Sequence, residues 1–339
     1  MYSKRQDSIL NFVKEMKLAS REDIEKHLLR EGITFSKVTI LRDLDLMISD
    51  GIIEKSGKAK ATKYSLSARS KLLTDIDVEE YFRKSQDERI PETIGFNFNV
   101  FTDLHDLLTT KEKKELDALN DIYRKEQSNL SETLLRKEYE RLTVEFSWKS
   151  SQLEGNTYTL LDTERLLKEH IASEGKTKEE TQMILNHKKA LDFILQSPEY
   201  YKNLTVAKIE EIHGLVADKL GITRGIRHAT VGIIGTNYRP LDNVYQIKDA
   251  LCDLVNVINF IEHPIEKALI AVLMVSYIQP FEDGNKRTAR ILGIALLLAN
   301  GYRPLSYRSI DEVEYKKGII LFYEINNISY FKQLFLKPA

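Results

Sequence analysis

A mainly α-helical protein is what this sequence predicts, with β structure confined to two short hairpins. Three observations carry the prediction. Only 15 Gly and 7 Pro punctuate 339 residues, too few for a turn-rich β architecture. Apolar residues recur at helical spacing through most of the chain. Strand-like patterning is restricted to the neighbourhoods of residues 52–66 and 230–234. The length exceeds one typical core, so more than one domain is expected.

The first 67 residues read as three helices and a hairpin. Ile9, Phe12, Val13 and Met16 stripe one face of a first helix. Ser20 with Asp23 starts a second, carrying Ile24, Leu28 and Leu29, and Gly32 breaks it. Ser36 caps a third helix that runs to Ser49, with Val38, Leu41, Leu44 and Met47 expected inward. Ile52-Ile53-Glu54 and Lys63-Tyr64-Ser65-Leu66 then flank a basic loop from Lys55 to Lys60. Residues 1–69 carry 14 Lys and Arg against 10 Asp and Glu, leaving 36 against 41 for the remainder.

Residues 68–134, which contain Pro91, read as a connecting, mostly helical stretch. Helical spacing resumes from Leu135 to Glu154. Amphipathic helices follow over Asp162–His170, over Lys178–Phe193 with Met183, Ile184, Ala190 and Phe193, and over Val206–Leu220. His213, on the last of these, is expected to be a packing histidine. Pro264 opens a nearly all-apolar helix to Ile278, and Ile291–Ala299 is another; helices apolar all round are buried. The expected division is 1–67, 68–134, 135–301 and a helical tail, 302–339.

Composition narrows the class. Hydrophobic residues make up 42% and charged residues 30%, with net charge −1, which fits an ordered protein and excludes a general polyanion binder. The single cysteine, Cys252, excludes an internal disulfide and a cysteine-rich zinc site, and its apolar neighbours predict a small core residue. The apolar stretch Ala268–Ile278 is too short to span a bilayer, and the polar N-terminus has no signal-like apolar run. A cytoplasmic protein without a membrane partner is expected.

The most informative stretch is Gln279-Pro280-Phe281-Glu282-Asp283-Gly284-Asn285-Lys286-Arg287-Thr288-Ala289-Arg290. It joins the two apolar helices. Arginines in a helix's first turn oppose the macrodipole, which favours anions there. Gly284 and Asn285 permit a tight backbone whose amides point outward, and Arg287 and Arg290 share one helical face. The fitting guest is a metal-bound polyphosphate.

The order of these residues resembles the Fic-family signature, His-x-Phe-x-Asp/Glu-Gly-Asn-Gly/Lys-Arg-x-x-Arg. Phe281, Asp283, Gly284, Asn285, Lys286, Arg287 and Arg290 match, and Gln279 stands where the family has histidine. The resemblance implies an all-helical Fic core that transfers AMP from ATP to a Ser, Thr or Tyr hydroxyl of a target protein. It implies that Asp283 holds Mg²⁺, and that Gly284, Asn285 and Lys286 cradle the phosphates with Arg287 and Arg290. The two arginines would also stabilise the leaving pyrophosphate. Lys286 replaces the commoner glycine, and a related toxin subgroup with lysine there transfers phosphate, so both groups stay open as the one transferred. Gln279 cannot take up a proton at useful pH, and losing a general base costs about 10²–10⁴ in rate. Reduced or absent transfer is expected, with nucleotide sensing as the competing function.

Two further stretches resemble parts of the same family. Ser150-Ser151-Gln152-Leu153-Glu154-Gly155 resembles the inhibitory motif Ser/Thr-x-x-x-Glu-Gly/Asn, which implies that Glu154 pairs with Arg290 and obstructs seating of the γ-phosphate. Val231, Gly232, Ile233, Ile234 and Gly235 fall where the family has a β-hairpin flap that clamps an extended target segment by strand addition. Arg227 falls where many relatives carry an arginine. His228, beside it, would act as a base only if it reached the α-phosphate. The first 67 residues resemble a winged helix-turn-helix domain of bacterial regulators. That resemblance aims Lys37, Thr39 and Arg42 at DNA, with Asp43 and Asp45 opposing phosphate; homodimer formation or another protein contact is the competing use of the domain.

Overall fold

Three serines start three helices in the first of two units, Met1–Ile76; the second unit is Asp77–Ala339. The computed structural model describes residues 3–89, 91 and 95–337. Ser3 and Ser20 close capping boxes with Gln6 and Asp23, satisfying orphan amides at the starts of α1 (Lys4–Met16) and α2 (Arg21–Arg30). Ser36 accepts from the Thr39 amide and starts α3 (Lys37–Ser49). Three short antiparallel strands, β1 (Ala19–Ser20), β2 (Ile53–Ser56) and β3 (Lys63–Leu66), form a sheet in the order β1-β3-β2. The register pairs Ala19 with Tyr64 and Ile53 with Leu66. Gly57 is required in the β2–β3 turn: its φ is +78°, and a Cβ there would lie 2.4 Å from the Ala61 carbonyl oxygen.

The face of α3 differs from the expected one. Ile40, Asp43, Leu44 and Met47 point inward, whereas Val38 is 74% exposed and Leu41 also faces out. Asp43 takes an inward position because Arg5 Nε and Gln6 Nε2 of α1 donate to its two oxygens at 2.5 and 3.0 Å. A carboxylate so paired can be buried, and an apolar stripe cannot anticipate it. Met16, the last residue of α1, and Leu29, both expected on the apolar faces, are exposed. The unit also runs past residue 67, because Ser67 caps α4 (Ala68–Leu73) and donates to the Gly51 carbonyl at 2.6 Å.

Among the described residues the regular elements of the second unit are all helices: α5 (Val78–Arg83), α6 (Val100–Asp103), α7 (Thr110–Ser128), α8 (Glu132–Gln152), α9 (Leu160–Glu169), α10 (Lys178–Gln196), α11 (Val206–Val216), α12 (Val244–Phe260), α13 (Pro264–Ile278), α14 (Asn285–Ala299), α15 (Glu312–Ile325) and α16 (Ser329–Leu336). Residues 77–134 of the expected connector and the expected tail, 302–339, fall in this unit, and residues 68–76 in the first.

Its centre is the pair α13–α14. Every residue of α13 from Ile265 to Ile278 is buried. Glu266 is tolerated there because the Leu107 amide donates to its Oε1 at 2.8 Å and Lys113 lies 3.6 Å from its Oε2. Gly293 lets the two helices approach closely, since a Cβ there would sit 3.1 Å from Val272. Cys252 is exposed, against expectation: α12 buries Ile247, Ala250, Leu251, Leu254 and Ile258, and Cys252 falls on the opposite face. No helix among the described residues is long and apolar enough to cross a membrane. Residues 230–235 form no strand; a turn at Ile234–Gly235 is their only regular feature.

Candidate functional site

The loop between α13 and α14 is built by its own side chains. Gln279 ends α13 in the left-handed region, φ 51° and ψ 57°, with its amide bonded to the Val275 carbonyl at 3.1 Å. Asn285, the first residue of α14, staples the loop. Its Oδ1 accepts from the Phe281 amide at 2.9 Å, and its Nδ2 donates to the Phe281 carbonyl at 2.8 Å and to Gln279 Oε1 at 2.9 Å. Gln279 Nε2 donates to the Ser276 carbonyl at 2.6 Å. The Asn285 side chain therefore holds the loop's shape, and the amides of the first α14 turn are left without an i−4 carbonyl partner. Gly284 is needed at that turn: its φ is +80°, and a Cβ would meet Val216 at 3.3 Å.

Phe281 is fully buried and stacks on His213, ring centroids 3.7 Å apart. His213 Nε2 donates to the Asp283 carbonyl at 3.1 Å, so this packing histidine lies directly beneath the loop. Burial, helped by nearby Arg287, pulls its pKa down to about 4. The Asp283 side chain is 70% exposed and accepts from Arg287 Nη2 at 3.0 Å. Arg287 itself is buried, and its Nη1 has no hydrogen-bond partner. A desolvated cationic donor without an acceptor calls for an anion. Lys286 is half-buried and takes no part in these bonds.

Arg290 is held differently. It is fully buried, and its Nε and Nη2 donate to Ser150 Oγ and O at 2.9 and 2.8 Å. Its Nη1 donates to Glu154 Oε1 at 2.8 Å. Glu154 sits in the turn after α8 that Gly155 makes with φ 89°; Gly155 itself is exposed. Ser150 in turn donates to His187 Nε2 at 2.8 Å, and the opposite nitrogen of His187 donates to the Met183 carbonyl at 2.8 Å. Burial first, then Arg287 and Arg290, bring the His187 pKa down to about 3, so the ring is neutral and can accept. The sequence pattern passed over His187, although a histidine on the inner face of α10 beside Ile184 and Ala190 was the available signal.

Arg227 ties the following segment to the loop. Buried without an acidic partner, it donates to the carbonyls of Gln279 at 2.6 Å, Ala229 at 2.7 Å and Leu241. His228 is exposed, as is Ile234, and Val231 and Ile233 are half-buried. In the first unit Lys37 and Arg42 are exposed, but Thr39 is half-buried with its hydroxyl on Ser36 Oγ at 2.8 Å. Thr39 thus braces the cap that Ser36 makes, and Asp43 is buried and ion-paired with Arg5. The side chain of Lys60 lies outside the described residues.

Comparison with known proteins supports the same stretch. The Fic/DOC family profile matches residues 203–297. Protein adenylyltransferase Fic of Nematostella vectensis is 30% identical over 175 residues, 50% of this chain and 40% of that protein. Protein adenylyltransferase fic-1 of Caenorhabditis elegans is 27% identical over 217 residues, 62% and 42%. The chain thus spans less than half the length of these curated relatives. The solved structure of Fic-1 from C. elegans superposes with TM-score 0.54 at 23% identity, covering 67% of each chain. A Fic domain containing signaling protein from Bacteroides thetaiotaomicron gives 0.53 at 22% identity, over 67% of this chain and 93% of that one. Residues 203–297 are a Fic/DOC domain, set in a mainly α-helical unit of the Fic fold.

Proposed function

We propose that this protein binds ATP through the loop 279–290 and is a Fic-type adenylyltransferase whose transfer of AMP to a protein hydroxyl is reduced or lost. The observation that carries the reading is the contrast between the two arginines. Arg290 is fully engaged by Ser150 and Glu154, whereas Arg287 Nη1 is buried and unpartnered. One donor awaits phosphate; the other is occupied by a carboxylate that competes with phosphate for the same fork. Glu154 therefore acts as the inhibitor.

Gln279 supports impairment. Its Oε1 accepts from Asn285 and its Nε2 donates to the Ser276 carbonyl, so both ends of the amide serve the loop. It offers a target hydroxyl no basic atom. Among the described residues no cluster of three or more His, Cys, Asp or Glu could hold a metal. Asp283 would supply one carboxylate to Mg²⁺, and phosphate oxygens and water the other positions, which is the usual Mg²⁺ arrangement. Lys286 keeps phosphate transfer as the competing chemistry.

A second reading, a nucleotide-sensing regulator, is favoured by the same saturated Gln279. It would use the first unit as a winged helix, for which three helices followed by a β-hairpin are the supporting observation. Lys37 and Arg42 would then meet DNA, while exposed Val38, Leu41 and Leu46 favour a protein contact or homodimer instead. The experiment incubates the protein with ATP labelled at the α- or γ-phosphate and a cell lysate, comparing wild type, Glu154→Gly and Gln279→His. Label from the α-phosphate appearing on protein supports AMP transfer; ATP binding with no label in any variant supports the sensor.

A further inference from the structure

The absent hairpin at residues 230–235 has a structural cause, and it identifies positioning residues outside the loop. The arm that would close the hairpin is bonded to Gln86 and Arg89 instead. Arg89 Nη2 donates to the Gly235 carbonyl at 2.6 Å, and Gln86 Nε2 donates to the Thr236 carbonyl at 3.0 Å. Asn237 Nδ2 returns bonds to the Gln86 and Arg89 carbonyls at 2.8 and 3.3 Å.

This strut is itself fixed. Arg89 is buried, with Nε on Glu324 Oε2 at 3.0 Å, and Tyr81 donates to the same oxygen at 2.7 Å. Glu324 is 1% exposed and neighbours Tyr323, whose hydroxyl lies 3.5 Å from Gln279 Nε2. At the far side Arg227 clamps Ala229, and Tyr238 donates to the Tyr277 carbonyl at 2.8 Å. Between these anchors Thr230–Ile234 makes no hydrogen bond to any other described residue, and Ile234 is 99% exposed. Unpaired backbone donors and acceptors along a segment offer an edge that another strand can join.

We propose that Arg89 and Gln86 are positioning residues for the protein target: they hold residues 235–237 away from 230–234, so that 230–234 stays an open edge for an extended target segment. The proposal rests on the reading of 230–235 as the target-binding flap. Arg89 and Gln86 touch neither loop 279–290 nor its arginines, so nucleotide affinity should be indifferent to them.

The test is limited chymotrypsin digestion of the full chain, with ATP affinity measured alongside by calorimetry. The variants are Gln86→Ala and the double variant Arg89→Met/Glu324→Gln, the latter avoiding an unpaired buried carboxylate. Loss of the bonds to Gly235, Thr236 and Asn237 should loosen this segment and speed cleavage after Tyr238 about tenfold while ATP affinity stays unchanged. Unchanged cleavage in both variants overturns the proposal. The target role is read in a Glu154→Gly/Gln279→His background with denatured casein as acceptor, where Gln86→Ala should raise KM for casein severalfold and leave KM for ATP alone. A fall in kcat at constant casein KM would also overturn it. Failure of the ATP-binding reading shows separately, as absent calorimetric binding in wild type.

Discussion

Arg290 and Glu154 form an ion pair of 2.8 Å in which the arginine is fully buried and the carboxylate keeps 20% of its side chain exposed. The asymmetry says which partner moves. Arg290 is also fastened by two bonds to Ser150, whereas Glu154 stands on a glycine turn beyond the end of α8. Removing the carboxylate leaves Arg290 in place with one guanidinium nitrogen vacant for phosphate.

Glu154→Gly should therefore tighten ATP binding. A hydrogen bond to a charged group is worth about 1.5–3 kcal/mol, and part of that is returned to a competing phosphate, so at least a severalfold gain is expected. Calorimetry with ATP and Mg²⁺ reads it directly. Equal affinity in variant and wild type removes the inhibitory role from Glu154.

Arg287→Ala should have the opposite effect. Its Nη1 has no partner and its ion pair to Asp283 reaches a side chain 70% exposed, so little electrostatic stabilisation is lost, but the arginine itself is buried and its truncation leaves a cavity. ATP affinity should fall at least tenfold, on the strength of a charge-assisted bond, in a variant whose melting remains cooperative though at a lower temperature. An unchanged dissociation constant would show that the phosphates bind elsewhere.

The loop was legible in the sequence because its chemistry is local. Phe281, Gly284, Asn285 and the arginines all lie between residues 281 and 290, and their spacing alone brings them together. Glu154 was legible only through its motif, since 136 residues separate it from Arg290. His187 and Arg89 were not legible. Each is a polar residue made tolerable inside the protein by partners far away in sequence, Ser150 for one and Glu324 for the other. The inward face of α3 was misread for the same reason, at Asp43. The missing hairpin is the complementary case: residues 230–235 have strand character, but the carbonyls of Gly235 and Thr236 that follow accept from Arg89 and Gln86 instead of from a strand.

Acid should destabilise the protein in a window set by its buried histidines. His187 and His213 have folded pKa values brought down to about 3 and about 4, from an ordinary 6.5. Below pH 6.5 the unfolded chain binds protons that the folded one refuses, so stability falls with pH; above 6.5 the contribution is complete. Each histidine adds a slope of about 1.4 kcal/mol per pH unit inside its window. Thermal melting between pH 4.5 and 7.5 should show that slope, and His187→Gln should reduce it. A slope unchanged by His187→Gln would mean that the ring is protonated in the fold.

If the first unit binds DNA, its salt dependence should be shallow. Each phosphate neutralised contributes about −0.9 to the slope, and Lys37 and Arg42 are the exposed cations of α3. Titrating the full chain with duplex DNA at two salt concentrations, for wild type and Arg42→Glu, decides it. No binding at low salt assigns the exposed Val38, Leu41 and Leu46 face to protein contact.

Gln279→His tests whether the missing base is the site's only defect. The backbone there is left-handed, at φ 51°, a region that histidine tolerates better than most side chains. Imidazole can also replace the amide within the local network, because its N–H can donate to the Ser276 carbonyl as Gln279 Nε2 does at 2.6 Å, while Asn285 Nδ2 keeps its bond to the Phe281 carbonyl. The other ring nitrogen, which carries the lone pair, is then left to take the proton of a target hydroxyl. Combined with Glu154→Gly, the substitution should raise AMP transfer by roughly 10²–10⁴, the usual contribution of a general base. Auto-modification detected by mass spectrometry measures this without a known target. Wild type as fast as the double variant would mean that another group, such as exposed His228, takes the proton. A double variant that binds ATP and transfers nothing would establish the sensor instead. Restoration is the expected result, because Asp283, Asn285, Arg287 and Arg290 are already placed around the loop and only the proton acceptor is missing.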